Sequence, residues 1–349
     1  MPAALFLALA VLSAPAFAQN PSLSADFGSM MDWLGQELAQ GIAFNAGSTF
    51  DTPAEVHGGR LLPDLSVGIG SVPLDKAKFP AIQSAALKAF NPAGIFPSRV
   101  LFPNLALHLR AGLPGRFDMA LRAANATTPS NYQINPGTYG KAQSNSIGFG
   151  LRRHFFGGED PLLTFGLNYN HVFGGFTYRT KMNLNFTDLG FSAASDLKGD
   201  LDWNVNSFGL NMVISRTFGP FIPFIGSGYN YATGSVHSRL EAKWDTLLIQ
   251  TSAGSSSRKP EPDSARFILG TQWNAAKRLS LFANGEIKVL GDHSGDSWII
   301  HVGAVMPFRI GPRPGAAKER ERTRPAGKSK PRPKPVQPSE SDSDFYYIK

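Results

Sequence analysis

Apolar and polar residues alternate with a period of two through most of residues 55–310. In 104–113, Leu105, Leu107, Leu109, Ala111 and Leu113 fall on one face, and Asn104, His108 and Arg110 on the other. Successive side chains of a strand point to opposite faces, so this spacing predicts a strand with one greasy and one charged side. Leu113-Pro114-Gly115-Arg116 reads as a tight turn. Beyond it, Phe117, Met119, Leu121 and Ala123 alternate with Asp118, Ala120 and Arg122, which completes a hairpin. The same pattern returns in Ile147, Phe149 and Leu151 beside Arg152, then in Leu163, Phe165, Leu167 and Tyr169. It returns again in Phe208, Leu210, Met212 and Ile214, in Phe267, Leu269 and Trp273, and in Leu279, Leu281, Ala283, Ile287 and Val289. The last strand, 298–308, is the clearest: Trp298, Ile300, Val302, Ala304, Met306 and Phe308 alternate with Ile299, His301, Gly303 and Val305. Alternation is weaker in 221–231. A first strand near 60–71 brings the count to about ten, within a range of eight to fourteen.

The connections alternate as well. Tight turns are expected near 114, 158, 219 and 275, and longer links at 73–99, 126–142, 180–200, 236–264 and 291–296. Short turns on one rim and long loops on the other are the habit of transmembrane barrels. Residues 181–191 and 236–250 also alternate, which predicts strand extensions above the membrane or an extra hairpin. Two helices are expected. In 26–44, Phe27, Met30, Met31, Leu34, Leu38 and Ile42 fall at helical spacing with Asp26 as N-cap. The favoured position for this helix is packed over the barrel end; a plug inside the lumen and a surface helix at the periplasmic mouth are the other readings. A short helix is expected in 81–90.

Composition adds an address. Residues 3–14 form an apolar run about the length of a secretory h-region, too short to span a bilayer, and Ala16-Phe17-Ala18 follows as a cleavage pattern. Cleavage is expected after Ala18. There is no cysteine, which excludes a lipoprotein anchor, a disulfide framework and thiolate metal sites. After residue 18 no run approaches the length of apolar chain that a membrane helix needs. A mean hydropathy of −0.14 suits a barrel, since alternation makes barrels only half hydrophobic. The net charge of +8 is uneven. Residues 309–349 hold 11 Lys/Arg against 5 Asp/Glu, a net of +6, which leaves +2 for residues 1–308. The basic character therefore belongs to a Pro-rich tail and does not point to nucleic acid.

With the signal ending Ala16-Phe17-Ala18, the repeated hairpins and a final strand ending in Phe308, the chain resembles bacterial outer-membrane β-barrel proteins. The resemblance implies an all-β fold, an antiparallel up-and-down transmembrane barrel, with the short turns on the periplasmic side. A terminal aromatic on the last strand is similar to the assembly signal of such proteins, although here the chain runs on for 41 residues. The expected organisation is a signal peptide at 1–18, an N-terminal helical segment at 19–54, the barrel at 55–310, and a basic disordered tail at 311–349. Outer-membrane lipid is the expected partner, with anionic cell-wall polymer a second contact for the tail.

Candidate chemistry is sparse. No metal, nucleotide or hydrolase signature is present, so neither catalytic residues nor a cofactor are assigned. Asp292, His293 and Ser294 lie together in a polar loop on the expected outer rim, the one place where a hydrolytic site would fit, although an ordinary Gly/Asp/Ser turn explains them. The polar strand face supplies a lumen-lining set: Arg110, Asp118, Arg122, Arg152, Glu286, Lys288 and His301. Ion pairs that brace a narrow barrel are the plain reading, and a narrow route for a small solute, favouring anions, is the other. The expected function is structural or small-solute transport, without enzymatic activity. The alternatives are a hydrolase with a site on the external rim, and a soluble periplasmic β-barrel binding protein.

Overall fold

A computed structural model describes residues 21–48 and 60–309, apart from 130–131, 136, 158–159, 188–189, 247–248, 250 and 277. The expected signal peptide, its cleavage point, the basic tail and the boundary at 54/55 lie outside the described residues.

Ten strands close into one antiparallel barrel. They are β1 (Arg60–Pro73), β2 (Arg99–Leu113), β3 (Phe117–Thr127), β5 (Thr138–Phe156), β6 (Leu162–Phe186), β7 (Phe191–Ser215), β8 (Phe221–Trp244), β10 (Asp263–Ala276), β11 (Leu279–Leu290) and β12 (Trp298–Val305). Each pairs with its neighbour, β8 pairs directly with β10, and β12 closes on β1 from Ser71↔Trp298 to Asp64↔Val305. Three short strands complete the sheet: β4 (Tyr132–Asn135) beside β5, β9 (Ser252–Arg258) beside β8, and β13 (Phe308–Arg309) beside β1. The expected final strand of 298–308 is thus broken in two around Pro307, whose missing N–H interrupts a ladder.

The greasy face points outward. Leu65, Val67, Leu105, Leu107, Leu121, Phe149, Leu167, Leu210, Leu269 and Val302 are all exposed, most of them by about half. A belt of this kind around a closed ladder marks a transmembrane barrel, because a barrel soluble in water would turn the same residues inward. Aromatic and basic side chains edge the belt at the tight-turn rim. Arg153 lies over Phe117 and Phe155, and Arg216 over Phe218. At the opposite edge stand Tyr169, Tyr229 and Tyr231.

Two of the expected long links are instead strand. β6 and β7 run 25 residues each, paired without a break from Leu162↔Ser215 to Phe186↔Phe191, and β8 runs 24. At about 3.3 Å per residue they reach roughly 80 Å, far beyond the ten or so residues that cross a bilayer. The alternation within 181–186 and 236–244 is therefore a strand signal, and β9 adds the extra rung. The extended wall has a purpose in packing: its inward Leu184, Leu197, Leu201, Val236 and Leu240 are buried against a helix.

That helix, α1, spans Pro21–Ala46, longer at both ends than the expected 26–44. It lies inside the barrel and its extension, not over the barrel end. It descends from the loop rim, where Asp26 meets residues 83–84, to mid-lumen, where Phe44 and Ser48 meet β10 and β11. The reason is that its surface is apolar on more than one side: Leu23, Phe27, Met30, Met31, Trp33, Leu34, Ala39, Ala43 and Phe44 are all buried. Each fully buried Leu, Phe or Met contributes about 1.5–3 kcal/mol, and only a surrounding wall provides that burial. Asp26 is not the N-cap. It sits within the helix, and its carboxylate accepts hydrogen bonds from the Gln83 and Ser84 amides at 2.9 and 2.8 Å. Close approach depends on glycine. A Cβ on Gly254 of β9 would lie 2.1 Å from the Gly28 backbone nitrogen. The expected short helix in 81–90 forms only as α2 (Ala85–Phe90), within the loop 74–98 that packs against α1.

A filled lumen and an apolar chamber as candidate site

The lumen has two halves of opposite chemistry. Toward the tight-turn rim it is polar and packed. Asp118 of β3 accepts from Arg152 of β5 through two hydrogen bonds of 2.8 Å, and its second oxygen also meets His154 at 2.7 Å. His154 in turn meets the Thr164 hydroxyl at 2.9 Å. On β1 and β2, Asp64 contacts His108 and lies 3.6 Å from Arg110. Charges without solvent are tolerable only when paired in this way.

A second polar layer, at mid-lumen, holds the lower end of α1. Arg266 donates to Glu286 at 2.5 Å and to the Phe44 carbonyl at 2.9 Å, with its guanidinium 4.7 Å from the centre of the Phe44 ring. The Ser48 hydroxyl donates to Glu286 at 2.9 Å, and Arg122 donates to the Ser48 carbonyl at 2.8 Å. Lys288 donates to Glu261 at 2.8 Å, and His301 meets Asn284 at 3.1 Å. The seven residues singled out from the sequence, Arg110, Asp118, Arg122, Arg152, Glu286, Lys288 and His301, are all buried on the inward face. They fall into these two layers, not into one continuous path. Sequence reasoning placed His108 on the polar face without adding it to this set, and it missed Asp64, His154 and Arg266. Arg266 was findable, since it alternates with the outward Phe267 and Leu269.

Toward the loop rim the lumen turns apolar and is not filled. A chamber of about 460 Å³ lies between α1 and the wall made by β2, β3, β5, β6 and β7. Leu34, Leu38 and Ile42 face it from the helix, and Val172, Phe176, Leu201 and Trp203 from the long strands. Polar side chains also reach it, among them Arg122, Asn45, Asn104, Asn125, Asn145 and Ser146, although most of its exposed lining is apolar. Apolar walls with a small number of polar groups are the usual make-up of a small-molecule site. Above it, Trp33 packs edge-on against Phe79 and Phe96, with ring centres 5.0 and 5.4 Å apart, and this cluster covers part of the chamber on its loop side. A second, open groove at the loop rim carries mixed charge that is already paired. There Arg258 of β9 clamps Asp32 of α1, and the guanidinium holds that carboxyl below its ordinary range.

The polar loop at 291–296 does not assemble a hydrolytic site. Asp292 accepts from Gln40 at 2.7 Å, His293 lies 2.8 Å from Glu37, and the Ser294 hydroxyl donates to the Gly291 carbonyl. Three adjacent side chains thus turn to three different partners, and a nucleophile–base contact is missing. The loop instead secures α1 from above.

A closed antiparallel ladder with an outward apolar belt defines the class: a transmembrane β-barrel protein. No protein-family model matches the chain, and no curated protein matches it. Among solved structures, it is similar to a major outer membrane protein from Thermus thermophilus, at 12% identity over 70% of this chain and 99% of that one, with a TM-score of 0.29. It is also similar to the beta domain of the Bordetella autotransporter BrkA, at 13% identity over 72% and 100%, with a TM-score of 0.29. The toluene transporter TbuX of Ralstonia pickettii aligns at 10% identity over 75% and 92%, with a TM-score of 0.28. At such scores the alignments carry no weight for function.

Proposed function

We propose that this chain is a bacterial outer-membrane protein, exported by a signal cleaved near Ala18, that takes up a small apolar solute in the chamber beside α1 and serves in transport without catalysis. The loop rim faces outward and the tight-turn rim faces the periplasm, where the basic tail contacts anionic cell-wall polymer. The observation that carries this reading is the chamber itself: a lumen packed with ion pairs below opens above into an apolar space of about 460 Å³. A purely structural plug would fill that space with side chains, as cores elsewhere are filled. Ions and polar solutes are poor candidates, because Arg110, Arg122, Arg152 and Lys288 already face protein acceptors or carboxylates.

Two experiments test the reading. The protein is expected to fractionate with outer membranes and to shift its gel migration on heating, and recovery from the soluble periplasm without detergent would overturn the location. In phosphatidylcholine vesicles it is expected to bind the apolar fluorophore N-phenyl-1-naphthylamine saturably, seen as tryptophan-sensitised emission. Val172→Phe puts a ring into the chamber and is expected to weaken binding at least tenfold. Equal binding by both proteins would remove the chamber from the function.

A further inference from the structure

The wall of the chamber is not a continuous ladder. Pairing between β2 and β3 runs from Leu113↔Phe117 to Leu105↔Asn125 and stops. β2 continues beside β1 as far as Pro73↔Arg99. β3 continues beside β5 to Thr127↔Gln143, and the Thr128 amide then donates to the Ala142 carbonyl at 2.9 Å. Beyond Asn125, therefore, each strand is held on its far side only. Pro103, two residues past the last pair, has no N–H to offer across the gap.

The chamber reaches through this gap. It is lined by the inward Phe102, Asn104 and Ala126, and also by Leu101, Pro103 and Thr127, which share the outward phase of the lipid-facing Leu105 and Leu121. A closed wall would keep these two sets apart, since side chains of opposite phase lie on opposite faces. The inward positions nearby are only half-buried, whereas the inward Ala106 and Ala120 below the gap are fully buried. The gap lies at the loop-side edge of the apolar belt, where Leu101 and Leu105 are still about half exposed. Below the chamber the axial direction is obstructed by the ion-pair layers, and above it Trp33, Phe79 and Phe96 cover part of the way to the loop rim.

We infer that the parting of β2 and β3 is a side portal, through which the apolar solute exchanges between the chamber and the lipid phase of the membrane. The inference rests on the chamber reading above. An apolar molecule concentrates in the bilayer, and a lateral portal spares it a return to water.

The test blocks the portal reversibly. The chain has no cysteine, so a single introduced thiol is labelled alone. Leu105→Cys, on the outward face at the foot of the gap and not part of the chamber lining, and separately Thr127→Cys, are labelled with benzyl methanethiosulfonate in phosphatidylcholine vesicles. N-phenyl-1-naphthylamine binding is then followed by stopped-flow tryptophan-sensitised emission, with the Val172→Phe trace subtracted as bilayer background. The expected result is a fall of at least tenfold in both association and dissociation rates at both positions, an unchanged dissociation constant at Leu105→Cys, and recovery on reduction with dithiothreitol. The same label on Leu269→Cys, on the lipid face of β10, is expected to change nothing. Unchanged rates at both labelled positions overturn the portal while the chamber stands. Affinity lost in step with rate at both positions also overturns it, because the label would then be occupying the chamber itself. Absence of saturable binding in the unsubstituted protein is a different failure, that of the chamber.

Discussion

Arg266 is where the barrel wall grips the helix inside it, and its removal makes a quantitative test. The side chain is about 1% exposed. It serves the Glu286 carboxylate at 2.5 Å, the Phe44 carbonyl at 2.9 Å and the Phe44 ring face. Arg266→Met keeps much of the volume and removes every one of these contacts. Glu286 is then left buried without the guanidinium, still holding the Ser48 hydroxyl. Breaking a buried pair from one side costs about 3–5 kcal/mol, most of it the stranded charge, whereas replacing both partners is close to neutral. The expected order follows. Arg266→Met lowers unfolding stability by about 3–5 kcal/mol, and Glu286→Gln in the same chain restores about half or more of that loss. The assay is reversible urea unfolding in lipid vesicles, read by tryptophan fluorescence, together with hydrogen exchange of amides 41–48. Exchange there is expected to accelerate in Arg266→Met before the barrel itself opens. If Arg266→Met costs the same with or without Glu286→Gln, the stranded-charge argument is wrong, and the arginine contributes through packing alone.

Other expectations follow from the same geometry. Asp32 titrates below its ordinary range because of its hydrogen bonds with Arg258, so the clamp contributes above the unfolded carboxyl pKa of 3.8 and is lost as pH falls through the lower folded value. Protection factors at the outer end of α1, corrected for intrinsic exchange, should therefore be steady from pH 7 to 5 and fall below about pH 4, and Arg258→Ala should abolish that step. Gly254→Ala places a methyl 2.1 Å from the Gly28 nitrogen, so α1 or β9 must shift. Protease protection of α1 should drop while heat-modifiable migration of the barrel is retained, and full protection would show that the helix does not pack there. Leu269→Lys puts a charge on the lipid face. It should cost about 2–4 kcal/mol in folding into vesicles if the residue lies near mid-membrane, and a cost near zero would displace the belt.

Most of the barrel was legible in the sequence because a period of two is a direct record of two faces. Leu105, Leu107 and Leu109 could lie together only on a strand, and the tight turns at 114 and 219 fixed the hairpins. The same record reached into 181–191 and 236–250 and predicted strand extensions or an extra hairpin there, but it did not say that β6 and β7 would pair without a break to Phe186↔Phe191. The outward positions of the extension, Lys181, Asn183 and Asn185 on β6 and His237, Arg239, Glu241 and Lys243 on β8, are polar, so no lipid-facing apolar set marks how far the wall continues. The position of α1 was less legible for a different reason. A stripe of Phe27, Met31, Leu34 and Leu38 requires one apolar partner and does not say how many. Asp26 and Glu37 look like a solvated face, yet both are buried and serve loop amides, Asp26 at Gln83 and Ser84 and Glu37 at Asp75. The chamber could not be read at all, because a space is defined by side chains from α1, β2, β3, β6 and β7 that are far apart in the chain. Pro103 was the one local hint, a residue without a ladder donor in an otherwise regular strand.

The direction in which α1 runs sets a rule for assembly. Its first residues lie at the loop rim, its last at mid-lumen, and β1 begins at the opposite rim. A barrel that zipped up first would leave this segment outside, with 26 helical residues to push past two layers of interlocked ion pairs. This placement predicts the reverse order: the helix is taken up while β1 and β12 are still apart, and the seam between them closes around it last. Arg266 and Glu286, on the strands that come late in the chain, then act as a check on the cargo. Without Phe44 and Ser48 between them and the facing wall, those buried charges lose partners at the moment the seam would shut, so an empty barrel is penalised before it is finished.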